Sequence, residues 1–388
     1  MQITRINLKN WRNFRTLDVP LRDVSYILGP NASGKSNLLD VFRFLRDVSK
    51  PTGGGLQAAI LARGGISKLR CLHARNDTEV CIDVELTESP DSDAVADWRY
   101  VLGFKREPRG LQRILVSREE VWQKGKKLFS RPDAQDRVDS MLLTQTRLEQ
   151  IAANSSFRVL ADFFGAITYL HLVPQLLKFA DHLGGRVLEN DPFGQAFLER
   201  IAKTQERTRT GRLKRISEAL KVAVPQFKDL RFVKDESGHP HLEAQYAHYR
   251  PKAGWQSEEH FSDGTLRLLG LLWSLLDGNA MLLLEEPEIS LNDAVVREIP
   301  LIIERLQRHK KPRRQIVIST HSEALLSNPG IDGRGVILLE TTTDGSTART
   351  VQSDEQSALE AGLSVAEVIL PKTRPESINQ FGQLSLWE

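Results

Sequence analysis

The segment from Val24 to Arg46 constrains the fold more than any other. Val24–Leu28 is a short apolar run broken only by Ser25, and Gly29-Pro30-Asn31-Ala32-Ser33-Gly34-Lys35-Ser36 follows at once. Leu38, Leu39, Val41, Phe42 and Leu45 then recur at the spacing of one helix face. A strand that turns directly into a helix across a Gly-rich loop is the start of an open α/β sheet. The eight-residue loop fits G-x-x-x-x-G-K-[ST] in full, in the strand–loop–helix setting that the motif needs. Gly29 and Gly34 let the backbone curl round an anion without a Cβ clash. The successive N–H groups and the helix N-terminus supply partial positive charge. Lys35 is placed to bridge the β- and γ-phosphates of a nucleoside triphosphate, and the Ser36 hydroxyl to ligate Mg²⁺. Gly29, Pro30, Asn31, Ala32, Ser33, Gly34, Lys35, Ser36 and Asn37 are therefore the expected nucleotide-binding residues.

Three later segments supply chemistry that such a loop requires. Met281–Leu284 is an apolar strand ending in Glu285-Glu286-Pro287-Glu288. One carboxylate is needed to hold the metal and a second to take a proton from the attacking water. Glu285 is assigned to the metal and Glu286 to the base, with Glu288 further out. Ser262 and Gly264, in Phe261-Ser262-Asp263-Gly264-Thr265, stand at the N-terminus of the apolar helix Thr265–Leu276, which offers a second anion-binding end. One chain cannot easily present two helix ends to one γ-phosphate, whereas two chains arranged head to tail can. His321, in Ser319-Thr320-His321-Ser322 after the apolar strand Gln315–Ser319, is placed to contact the γ-phosphate or hold the attacking water.

The remaining chain divides by pattern. Val80–Leu86, Trp98–Phe104, Gln112–Ser117 and Glu120–Gln123 alternate as antiparallel strands, with turns at Arg109-Gly110 and Gln123–Lys126. Residues 134–225 read mostly as helix, broken at Gly184-Gly185 and Pro192, and no heptad repeat is sustained through them. Leu230–Val233 and His241–Tyr246 form an expected hairpin, Asp293–Arg308 a helix and Gly335–Glu340 a strand; the last stretch reads as polar and irregular. The expected division is 1–133 and 226–345 for the two parts of one head, 134–225 for a helical insertion and 346–388 for an extension.

Composition excludes little but usefully. The chain has 388 residues, 40% hydrophobic and 27% charged, with 53 basic against 50 acidic side chains. That balance suits a folded chain, permits a nucleic-acid partner and does not require one. No apolar run approaches the ~18 residues that span a bilayer. Cys71 and Cys81 form neither a metal motif nor a disulfide framework, which points to the cytoplasm. Lys203, Arg207, Arg209, Arg212, Lys214 and Arg215 make one basic cluster, and Arg305, Arg308, Lys310, Lys311, Arg313 and Arg314 a second; each reads as a solvated face or a phosphate track.

The phosphate loop, the Ser262–Thr265 turn, the acidic strand end and the His321 strand, in that order, resemble the ATP-binding-cassette ATPases, and within them the RecF/SMC-like branch and the ATPase part of OLD-family (overcoming-lysogenisation-defect) proteins. Leu8-Lys9-Asn10-Trp11-Arg12-Asn13-Phe14-Arg15 is similar to the opening of that branch, as is Glu286-Pro287-Glu288-Ile289-Ser290-Leu291 to its acidic segment. The matched pieces, roughly 1–46 and 258–326, cover under a third of the chain. The resemblance implies an α/β P-loop NTPase of ABC-ATPase type, with a mixed central sheet, an antiparallel β lobe and a helical insertion. It implies ATP and Mg²⁺, Glu286 as catalytic base, His321 as switch residue, and a homodimer in which each ATP lies between one Walker A loop and the Ser262–Gly264 turn of the other chain. It makes DNA, or a separate effector such as a nuclease, the expected partner, in anti-phage defence or DNA repair.

The sequence also departs from the family pattern. Glu285 stands where the family carries Asp, and Ser-Asp-Gly-Thr where it carries Ser-Gly-Gly-Gln. Gln57 is the only glutamine between the Walker A helix and the β lobe. The residues after His321 lack the spaced acidic strands of a Toprim nuclease. Two other functions compete with the switch ATPase: an ATP-binding scaffold with little turnover, and a small-molecule kinase, which leaves the Ser262 turn and His321 without a role.

Overall fold

The computed structural model describes residues 1–88, 95–107, 111–178, 193–247, 254–308 and 313–373. The expected breaks at Gly184-Gly185, the Arg109-Gly110 turn, Pro192 and the cluster members Lys310 and Lys311 lie outside the described residues. The chain forms two compact units: Met1–Thr168 with Ala280–Leu283 and Pro312–Glu388, and Tyr169–Asn279 with Leu284–Lys311.

In the first unit a six-stranded antiparallel sheet has the order β2-β1-β4-β5-β6-β7, formed by β1 (Gln2–Trp11), β2 (Phe14–Pro20), β4 (Val80–Thr87), β5 (Trp98–Arg106), β6 (Ile114–Gln123) and β7 (Lys126–Arg131). Period-two alternation is clearest on β4, where Val80, Ile82, Val84 and Leu86 form one fully buried row. The second sheet is mixed. β3 (Val24–Leu28) lies parallel between β13 (Ile316–Ser319) and β14 (Val336–Thr342), and β15 (Gly345–Thr350) pairs antiparallel with β14. β12 (Leu282–Glu285) begins in this unit, where the Leu282 N–H donates to the Gln315 carbonyl. Helix α1 (Lys35–Val48) turns Phe44 onto the antiparallel sheet, against Trp11 (5.2 Å between ring centroids) and stacked on Phe104 (5.4 Å). Helix α2 (Arg158–Gly165) adds Phe164, 5.9 Å from the Tyr100 ring.

The second unit is built on helices α3 (Glu206–Ala223), α4 (Asp263–Leu276) and α5 (Asp293–Arg308), with the small sheet β11-β10-β9 (Gln256–Ser257, Pro240–Tyr246, Phe227–Lys234). α4 is apolar almost all round and nearly wholly buried, as such a helix must be. Leu213, Ile216 and Leu220 give α3 its one buried stripe.

Several elements differ from the sequence reading. The expected strands Gln112–Ser117 and Glu120–Gln123 are one strand, β6, which runs through Arg118 and Glu119; Glu119 is buried and paired with the buried Arg131 (3.3 Å). The region 134–225 contains a strand, β8 (Thr168–Leu170), too short for any periodicity to reveal. The segment from 345 is ordered through β15 and a helix at Ser353–Glu360, whose Glu355 takes Arg349 and Lys372 as ion partners.

A buried polar network closes the β lobe. Arg131 is held by Glu119 and by Asp136 at 2.6 Å, with all three side chains almost fully buried. Beside it Glu149 accepts the Leu56 N–H at 2.6 Å and the Thr146 N–H at 3.0 Å, fastening the loop that follows α1. Burial raises the Glu149 carboxyl to about 7; the two N–H donors oppose the shift and the Glu119 charge adds to it. A raised folded value means that the folded chain holds more protons than the unfolded one between about 4.5 and 7. Stability therefore falls as pH rises through that window. Urea unfolding across pH 5–8 shows this slope in the wild type and a flatter one in Glu149→Gln; the same slope in both would contradict the assignment.

Candidate nucleotide site

β3 ends at Leu28 and the loop Gly29–Gly34 follows, leading into α1. Ala32 has φ +65° and Gly34 φ +103°, left-handed conformations that let the loop wrap inward. A Cβ on Gly34 would stand 2.2 Å from the Asn13 amide nitrogen, so only glycine fits. No side chain caps the N-terminus of α1, although helix starts need partners for their first N–H groups. The Ser33 hydroxyl is buried with no hydrogen-bond partner. A helix start without a side-chain cap, a buried orphan hydroxyl and a cradle that a Cβ would fill are the features of an anion site, so the residues present fit a nucleotide's phosphates. Lys35 is buried, and its ammonium donates to the Gly29 carbonyl (3.0 Å) and the Pro30 carbonyl (3.3 Å), across the loop itself. Ser36 is exposed and Asn37 half-buried on the first turn.

Two residues hold this loop in shape. The Asn13 side chain donates to the Ser33 carbonyl (2.9 Å) and the Ser346 hydroxyl (2.7 Å) and accepts from the Asn37 amide (2.8 Å). One carboxamide thus ties the loop to α1 and β15. Asp40, one turn into α1, is gripped by Arg12 (2.7 Å) and Arg63 (2.9 Å). Burial opposes its ionisation, yet the Arg63 and Arg12 guanidiniums hold its carboxyl below the ordinary range. Asn13 and Arg12 stand in the opening segment, where nothing in their spacing announces a role; their contacts span 20 or more residues of sequence.

β13 and β3 run parallel with Ser319 opposite Ile27, so Gly29 and His321 leave the same edge of the sheet. The Thr320 N–H donates to the Ile27 carbonyl (3.2 Å), Ser322 caps the next helical turn, and His321 is exposed between them. Gln57, by contrast, gives its amide to the Ile114 (3.0 Å) and Thr144 (2.8 Å) carbonyls of the β lobe.

The other candidates belong to the second unit. Glu285 accepts a short hydrogen bond from the Tyr169 hydroxyl on β8, a partner hidden from the sequence by the helical reading of that region. Glu286 has φ +43°, a left-handed conformation uncommon for a residue with a Cβ and worth about 1–2 kcal/mol of strain. Ser262 caps α4 through the Thr265 N–H (3.1 Å). A Cβ on Gly264 would meet the Ser290 carbonyl at 2.5 Å, so the turn and the segment after Glu286 pack backbone to backbone.

Residues 24–327 match the family model described as "AAA domain, putative AbiEii toxin, Type IV TA system". No curated protein matches the chain. Among solved structures, the chain is similar to an SMC head bound to the C-terminal winged-helix domain of ScpA (TM-score 0.55, 18% identity, covering 92% of this chain and 99% of that one). It is also similar to an Smc head domain with an extended coiled coil bound to the C-terminal domain of ScpA, derived from Pyrococcus furiosus (TM-score 0.52, 16% identity, 92% and 98% covered). At these identities the likeness is one of fold: an α/β P-loop NTPase of ABC-ATPase type.

Asn13→Ala removes three side-chain hydrogen bonds, one each to the loop, α1 and β15, while leaving the sheet's backbone pairing intact. Nucleotide affinity should fall about tenfold, or about 1.4 kcal/mol, with an unchanged circular dichroism spectrum. Calorimetric titration with ATP checks this, and undiminished affinity would show that the loop keeps its shape without the clamp.

Proposed function

The chain belongs to the AAA domain family whose model spans residues 24–327, and from that premise we propose that it is an ATP-hydrolysing switch that closes as a homodimer around ATP. The observation that carries the reading is the open anion cradle at the start of α1, with its orphan Ser33 hydroxyl and uncapped helix end. In this reading residues 29–37 bind the triphosphate and the Lys35 ammonium leaves the Gly29 and Pro30 carbonyls for the stronger β- and γ-phosphate acceptors. Ser36 and Glu285 are the residues that would hold Mg²⁺, which supplies charge neutralisation on the phosphate oxygens when bound. Tyr169 fixes one oxygen of Glu285, which limits the freedom of the longer side chain.

Glu286 takes the proton of the attacking water, its position set by the left-handed turn. His321 reads the γ-phosphate from the sheet edge it shares with the loop. Ser262 and Gly264 cover the nucleotide of the partner chain from the N-terminus of α4. The helical part of the chain is an insertion in this head. The affinity with OLD-type ATPases, a cytoplasmic place, and a role in anti-phage defence or DNA repair through DNA or a separate nuclease complete the proposal. The scaffold reading retains support from Glu285, whose extra methylene places the carboxylate differently from an aspartate.

Phosphate release and light scattering separate the two readings. The wild type should hydrolyse ATP, and Glu286→Gln should lose at least about a hundredfold in rate and accumulate an ATP-dependent dimer of doubled mass. Equal, slow release by both forms with no change of mass would favour the scaffold.

A further inference from the structure

The two basic clusters have different fates. Arg308 pairs with Glu304 on the helix surface (3.1 Å), Arg313 with Asp23 (3.0 Å), and Arg314 donates to the Ala280 carbonyl, which leaves Arg305 as the one described arginine of the second cluster that is exposed and in no ion pair among the described residues. On α3 of the first cluster, Arg207 and Arg215 are exposed and take part in no ion pair among the described residues. With Thr208, Gly211, Arg212 and Leu276 they line a cleft of about 320 Å³. Arg212 forms the floor, fixed by Asp277 at 2.7 Å and lying over the Trp273 ring at 5.2 Å.

Gly211 is the telling member. Glycine is disfavoured in a helix interior relative to alanine. Here a Cβ would meet nothing within 4 Å, so no packing within the protein calls for its absence. The missing side chain leaves room against the helix backbone midway between Arg207 and Arg215. Those two residues are eight positions apart, or about 12 Å along the axis, with Arg212 between them. Guanidiniums present flat pairs of donors that match phosphate oxygens. A row of such forks, with a bare backbone strip between them, suits a repeating line of phosphates better than a single anion.

We propose that this face of α3 is a docking site for the phosphate backbone of duplex DNA, contacted by Arg207 and Arg215 across Gly211. The contact gives the DNA partner of the switch reading a place on the chain, yet it needs no nucleotide turnover, so the two stand or fall separately.

The test uses the full chain without nucleotide and a fluorescently labelled 20-base-pair duplex of arbitrary sequence, read by anisotropy across a salt series. The wild type should bind with a steep salt dependence. Arg207→Glu/Arg215→Glu should bind at least about tenfold more weakly, and Arg207→Gln/Arg215→Gln should shift the same way with a logarithmic salt slope shallower by about 2. Arg308→Glu should leave binding unchanged. Lys35→Ala should keep the duplex while losing ATP, so its failure to bind ATP says nothing against the α3 site. Absence of duplex binding by the wild type, or equal binding by the α3 variants, overturns the proposal. Calorimetric binding of tripolyphosphate to Lys35→Ala that is lost in Lys35→Ala/Arg207→Glu/Arg215→Glu, without binding of duplex, also overturns it, in favour of a site for a free polyphosphate on α3.

Discussion

The structure of the first unit depends on how a backbone loop can be kept curled with its N–H groups turned inward. Such a loop has no side-chain core of its own. Gly34 supplies the left-handed turn, and the Asn13 carboxamide occupies the space where a Cβ would stand. That single group reaches the loop, the first turn of α1 and the start of β15. Asp40, neutralised by two arginines, anchors the same helix one turn further on. Below these polar ties Trp11, Phe44 and Phe104 pack the helix onto the antiparallel sheet. The polar clamp fixes the loop's shape and the aromatic contact fixes the helix it feeds.

Polar groups define the β lobe in a similar way. Glu119, Arg131 and Asp136 are buried together, and removal of the arginine alone would leave two carboxylates uncompensated, which is why such clusters behave as units. Glu149 extends the network to the Leu56 N–H, and so to the loop beyond α1.

Much of this was legible in the sequence where a local rule acts alone. β3, α4 and α5 follow from apolar runs, a serine cap and helical spacing, and the phosphate loop from its glycines and lysine. What the sequence concealed depends on distant partners. Glu119 fell between two expected strands because a charged residue breaks the apolar alternation, and the arginine that pairs with it lies twelve residues away. Tyr169 passed for part of a helix because a three-residue strand has no measurable period, and its bond to Glu285 spans 116 positions. Asn13 carries no chemical signal at all until the fold sets it against Gly34. Gln57, the glutamine that stood out by position, gives its amide to the β lobe.

The central claim is that residues 29–36 form a phosphate cradle completed by Lys35. Equilibrium binding of a non-hydrolysable ATP analogue with Mg²⁺, measured by calorimetry on the wild type and on a folded Lys35→Ala variant, tests it most directly. The account predicts saturable one-to-one binding by the wild type and a loss of at least about a hundredfold, or about 2.7 kcal/mol, in the variant. Equal affinities, or no binding by the wild type, would contradict it.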